Sequence, residues 1–227
     1  MTCINVREGD GIVSIVTLDA CGAPLLGEGR LLQLSNISEF SFEDQIDEGD
    51  TVTEKNFGGR KCYTDVGCDT ISSIMLDMTS CGINPALDAF LTGSAIKLND
   101  AEEISGYSRK ELVCAQNVAV EVLMQLDTDA CAEGGEAPIA GWLFPLVKNW
   151  KPNGGTTLNG SDLVKPPYNG KGFLNPNLFD TVVDPLAKWV DIFSETDEWY
   201  SFYIFPGEDV VMPTADCDPV ELTEYVS

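Results

Sequence analysis

Residues 117–126 read NVAVEVLMQL, and Val118, Val120, Val122, Met124 and Leu126 recur there at every second position. A period of two is the period of a β-strand; wound into a helix, those side chains would scatter around the axis. This segment therefore sets one face of an extended strand against a core. Other segments follow suit: IVSIVTLD (12–19), LLQLSNISEFSF (31–42), TISSIMLDMT (70–79), a strand at about 140–150 with Trp142, Phe144 and Leu146 on one side, and the aromatic EWYSFYIF (198–205). Between the first two, ACGAPLLGEG has the Gly and Pro of a turn. PPYNGKGF (166–173) lacks the pattern of a phosphate-binding loop and reads as a flexible turn region.

Helices are few. NPALDAFLTG (84–93) has a capping Asn84, Pro85 at the first helical position and Gly93 at the end, with Leu87, Phe90 and Leu91 on one face. A second helix is expected at 185–194, with Leu186, Trp189, Val190 and Phe193 as its apolar stripe. Many strands with one or two capped helices predict a mainly β protein, a β-sandwich or open barrel with a flanking helix. We divide it into a β domain over 1–178 and an acidic helix–strand extension or arm over 179–227.

The stretch EDQIDEGD holds five carboxylates in eight positions, Glu43, Asp44, Asp47, Glu48 and Asp50. It falls in a long connection expected over about 43–68, and connections of that length inside a domain are usually functional or disordered. It is not an EF-hand: counting from Asp44, the third position is Ile46 and the twelfth is Lys55. The whole chain carries 37 acids against 13 bases, a formal charge of −24. Such a balance opposes nucleic-acid binding, which depends on Lys and Arg displacing phosphate counterions. The charge is uneven. Residues 141–179 contain four lysines, Lys148, Lys151, Lys165 and Lys171, against one acid, whereas 180–227 contain twelve acids and one base. A basic segment in an acidic chain suits complementary surfaces between copies.

The chain has no histidine, so Ser–His and Cys–His nucleophile pairs are impossible and the commonest metal ligand is missing. Eight cysteines include no C-x-x-C pair, which argues against a zinc ribbon or a redox motif. They are expected as buried thiols, with Cys62 and Cys68 able to bridge if the protein leaves the cell. No cofactor, metal or enzyme activity is expected. No run of about 20 apolar residues could cross a bilayer, and the acids near the N-terminus do not fit a signal peptide. The expectation is a chain made in a cytoplasm, without membrane contact.

Two motifs sharpen the reading. TLDACGAPLLG (17–27) and SCGINPALDAFLTG (80–93) together resemble the major tail proteins, the tail-tube proteins, of long-tailed non-contractile phages (siphophages) of actinobacteria. NVAVEVLMQL and GWLFPLVKNW look like that family's following sheet strands, and the resemblance runs in order from about residue 11 to 178. It implies a structural virion protein, not an enzyme. Subunits would close into hexameric rings that stack into a tube, through which phage DNA passes without specific binding. Tape measure, terminator and distal tail proteins would be further partners, and the virion tail its location. The long loop would reach the next ring, with Glu43, Asp44, Asp47, Glu48 and Asp50 as contacts and Lys148, Lys151, Lys165 and Lys171 as the complementary basic segment. A reading from another class is a carbohydrate-binding β-sandwich module that stacks sugars on Trp142, Trp150, Trp199 and Tyr200.

Overall fold

The computed structural model describes residues 6–55, 57, 59–100, 104–109, 116–126, 139–153, 164–178, 183–184, 198–205 and 220–224. The helix expected at 185–194 lies outside them. In chain order the elements are β1 (Val6–Leu18), β2 (Gly27–Leu34), β3 (Ile37–Asp47), β4 (Thr51–Lys55), β5 (Lys61–Val66), β6 (Thr70–Ser80), α1 (Pro85–Thr92), β7 (Ala95–Leu98), β8 (Ile104–Ser108), β9 (Asn117–Leu126), β10 (Ile139–Pro152), β11 (Pro167–Gly172), β12 (Val183–Asp184), β13 (Ser201–Phe205) and β14 (Val220–Glu224). The main sheet is antiparallel in the order β12-β14-β2-β1-β9-β10-β11-β6-β3, with β13 also paired to β10. β4–β5 and β7–β8 form separate two-stranded ribbons.

β10 belongs to both halves of this sheet. Its residues 139–147 pair with β9, and its residues 147–152 pair with β11. The register slips between Phe144 and Val147, where Pro145 has no N–H to give a ladder, and again between Lys148 and Lys151, where Asn149 has φ 57°. The sheet thereby folds over one core. Val13, Leu34, Val120 and Phe144 from one half meet Ile74, Leu76 and Met78 from the other, and Leu87, Phe90 and Leu91 of α1 join them. Each such side chain contributes roughly 1.5–3 kcal/mol through loss of contact with water. The mainly β fold with a flanking helix is as the sequence predicts, and α1 has the expected ends. Asn84 Oδ1 accepts from Leu87 N at 3.0 Å, and Gly93 closes the helix at φ 68°.

Five expectations about strands and loops are corrected. The single strand expected over 31–42 is two, because the ladder breaks at Ser35–Asn36 and the Asn36 carbonyl turns to accept from Cys81 N. Leu146 does not share a face with Trp142 and Phe144: the slip at Pro145 turns it to the opposite side, beside Leu143 and Leu178. β9 is buried on both faces, not one, since Ala119 and Leu123 pack into that second cluster. The turn region at PPYNGKGF is instead β11, an interior strand. Glycine is depleted in strands, which hides it, yet Gly170 lies under the Trp150 ring, where a Cβ would come within 2.8 Å of ring carbon. The connection expected over 43–68 is the end of β3 followed by the β4–β5 hairpin. There the β-branched residues of TVTEK sit between charges that mask their alternation.

The LDACGAP segment is a turn fixed by side chains. The Asp19 carboxylate accepts from Cys21 N at 2.7 Å and Ala23 N at 3.0 Å. Asn175 Nδ2 donates to the carbonyls of Gly22 and Pro145, and Asn177 Nδ2 to that of Cys21. Residues 173–178 are thus pinned across the end of the sheet. Cys21, Cys68 and Cys81 are free and exposed, so the expectation of buried thiols fails for these three, and Cys68 is not bridged to Cys62.

Candidate functional site: an acidic edge strand and a projecting hairpin

β3 ends the sheet, paired to β6 on one side. Its alternation splits the acidic stretch between faces. Phe40 and Phe42 point into the core, and Asp44 follows them on that face, in the cross-strand row Asp44–Ile74–Gly172–Val147. Asp44 Oδ1 is buried without a hydrogen-bond partner. Glu39 and Glu43 stand on the outer face and are exposed, as are Asp47, Glu48 and Asp50 further along. None of these carboxylates has an ion-pair partner among the described residues. Charges along an edge strand discourage uncontrolled pairing with other sheets.

Three lysines of the predicted basic segment come to the same outer face. Lys148 and Lys171 stand directly opposite each other on β10 and β11, and Lys171, Met75 and Glu43 continue that row across β6 to β3. Lys151 pairs in register with Asn169, and Lys165 is exposed just before β11. Two strand spacings of about 4.8 Å separate Lys171 from Glu43. Acids and lysines share a face and do not touch.

Beyond Asp47 the chain narrows. Gly49 N donates to Asp69 Oδ1 at 2.9 Å, and Gly67 N donates to the Asp50 carbonyl at 3.0 Å. The two glycine backbones pass so close that a Cβ on Gly49 would meet the Gly67 carbonyl oxygen at 2.1 Å. From this neck the β4–β5 hairpin projects. Val52, Tyr63 and Val66 are more than half exposed, and Phe57 at the tip is wholly exposed, at 112%. Sequence reasoning singled out the carboxylates at the root and missed this apolar ribbon, although TVTEKNFGG carries the β-branched residues and the glycine turn of a hairpin.

The aromatic residues offer little to a sugar. Trp150 is 2% exposed, and Trp142 is engaged by Phe42, Tyr200 and Phe202, with ring centroids 5.2, 6.3 and 4.3 Å away. Trp199 and Tyr200 pack against the core. Two buried polar groups brace the fold. Asp88 of α1 takes the Arg109 guanidinium at 2.5 Å and the Tyr168 hydroxyl at 3.2 Å. Glu121, 5% exposed, accepts from Tyr203 OH. Burial and the adjacent carboxylate push both tyrosines well above the usual phenol range. Among the described residues no three His, Cys, Asp or Glu side chains group as metal ligands, and no helix is long and apolar enough to cross a membrane.

No family model and no curated protein matches the chain. Among solved structures it is similar to one titled as a cryo-EM structure of an extracellular contractile injection system, the PVC sheath/tube terminator in its extended state. The identity is 13% and the TM-score 0.29, over 74% of this chain and 92% of that one. A TM-score of that size establishes neither a shared fold nor a shared role.

Proposed function

We propose that this protein is a structural subunit of a phage-type tail whose copies close into sixfold rings and stack as a tube that DNA traverses. The observation that carries the reading is the β4–β5 hairpin. An isolated two-stranded ribbon is marginal in water, and this one leaves Val52, Phe57, Tyr63 and Val66 outside its own core. Such a ribbon is stabilised by a surface on another molecule. A projecting arm received elsewhere on the next copy is a heterologous contact, the kind that builds rings and filaments. The formal charge of −24 favours a wall that does not hold DNA. The tail-protein resemblance in 17–27 and 80–93 supplies the particular assembly, and with it tape measure, terminator and distal tail proteins as neighbours in the virion.

Electron microscopy of the purified chain tests this, with sedimentation across a concentration series. Rings or tubes of sixfold symmetry are the expected result. A closed twofold dimer, or a monomer at every concentration, would sink the reading.

A further inference from the structure

We infer that residues 48–49 and 68–69 form a hinge on which the β4–β5 hairpin turns as a unit, and that the Asp69 side chain is the latch that sets its direction. The inference deepens the self-assembly reading above and rests on it for its consequence, not for its geometry.

The hinge is a gap between two ladders. The last rung of the body joins Asp47 of β3 to Thr70 of β6. The hairpin's own ladder begins with Thr51 opposite Val66, and the Gly67 N–H donating to the Asp50 carbonyl adds one rung before it. Between the two lie Glu48 and Gly49 on one side and Cys68 and Asp69 on the other. Among the described residues these four make no backbone–backbone hydrogen bond. One bond crosses the gap instead: Gly49 N donates to Asp69 Oδ1 at 2.9 Å. A chain released from its ladder turns through its own φ and ψ, and glycine has the widest range of both. Gly49 also has no Cβ to strike the Gly67 carbonyl where the two chains cross.

Packing does not hold the hairpin's angle. Val52, Glu54 and Tyr63 on one face, and Thr51, Thr64 and Val66 on the other, are all exposed, so neither row rests on the body. The direction of the ribbon therefore falls to the Asp69 acceptor. An arm that samples many directions docks only from its competent fraction, and its apparent affinity drops by that fraction. Asp69 is thus a positioning residue for the contact between copies. A single exposed bond also opens readily, which lets the arm adjust as it is received.

Single-molecule energy transfer on the full chain, at picomolar concentration where copies do not meet, tests the hinge. Dyes on non-natural side chains at Thr64 of the hairpin and Lys171 of the body report its direction. Three forms are compared: wild type, Asp69→Ala, which removes the acceptor, and Asp69→Asn, which removes the charge and keeps an acceptor oxygen. Circular dichroism checks that each is folded. Wild type and Asp69→Asn should give one narrow distribution, and Asp69→Ala a broad or shifted one. Light scattering at higher concentration should show Asp69→Ala assembling about threefold to tenfold more slowly, the scale of one lost hydrogen bond, with Asp69→Asn near wild type. A broad distribution in wild type, or no change in Asp69→Ala, overturns the latch. Equal broadening in Asp69→Asn also overturns it, since charge and not the acceptor would then set the direction. A broadened Asp69→Ala that assembles at the wild-type rate overturns the role in docking. A wild type that never assembles overturns the self-assembly reading, while the energy-transfer result still decides the hinge.

Discussion

The buried hydroxyls of Tyr168 and Tyr203 tie stability to pH at the scale of single residues. Both phenols are held above their ordinary range, so the folded state keeps protons that the unfolded chain gives up near pH 10. Stability is therefore fully present below about pH 10 and falls as pH rises beyond it, because the unfolded state binds fewer protons there. Melting temperatures between pH 9 and 11 should show this decline, and Tyr203→Phe should make it shallower. An equal slope in the variant would remove Tyr203 as a source. Asp88 gives a second residue-scale expectation. Removing its guanidinium partner with Arg109→Ala leaves a carboxylate 3% exposed and short of a charge partner, at a cost of about 3 kcal/mol. Denaturant unfolding measures that loss. Neither arrangement is visible in sequence, because Arg109 and Asp88 are ordinary charged residues until folding brings them to 2.5 Å.

At the scale of elements, the molecule separates a braced core from a ribbon tethered at its neck. Amides of β4 and β5 should exchange with solvent far faster than those of β9 and β10, since local opening costs least where few apolar contacts hold a segment. Hydrogen-exchange mass spectrometry on the unassembled chain reads this directly, and equal protection would show that the hairpin packs on the body. Gly49→Ala should disturb the neck, where the added Cβ would collide with the Gly67 carbonyl, while the melting temperature of the core stays nearly unchanged. Gly170→Ala should do the reverse. Its Cβ would press on Trp150 and Val147 in the core, an overpacking cost of about 1–3 kcal/mol, without affecting the hairpin. The helix was legible because its cap, proline and terminal glycine are local signals. β11 was not, because what leaves room only for glycine at position 170 is a tryptophan on the adjacent strand.

For the whole molecule, the question is which surfaces of an acidic chain can meet. Replacing 50–67 by a short glycine linker should leave the sandwich folded, as none of the described hairpin residues belongs to either core cluster, and should abolish assembly. Gel filtration with circular dichroism checks both halves of that expectation, and assembly of the deletion would remove the hairpin from the contact. Periodicity in 117–126 and the capped 84–93 by themselves determined a mainly β protein with a flanking helix, and composition alone gave it a formal charge of −24. Those signals are local or additive: alternation, capping and net charge depend on neighbours in the chain or on composition alone. Only the tertiary structure decided that β9 is covered on both faces, that Pro145 turns Leu146 away from Phe144, and that Asp44 and Glu43 point to opposite sides of β3. Each depends on partners distant in sequence and on register, where a shift of one residue exchanges the two faces of a strand.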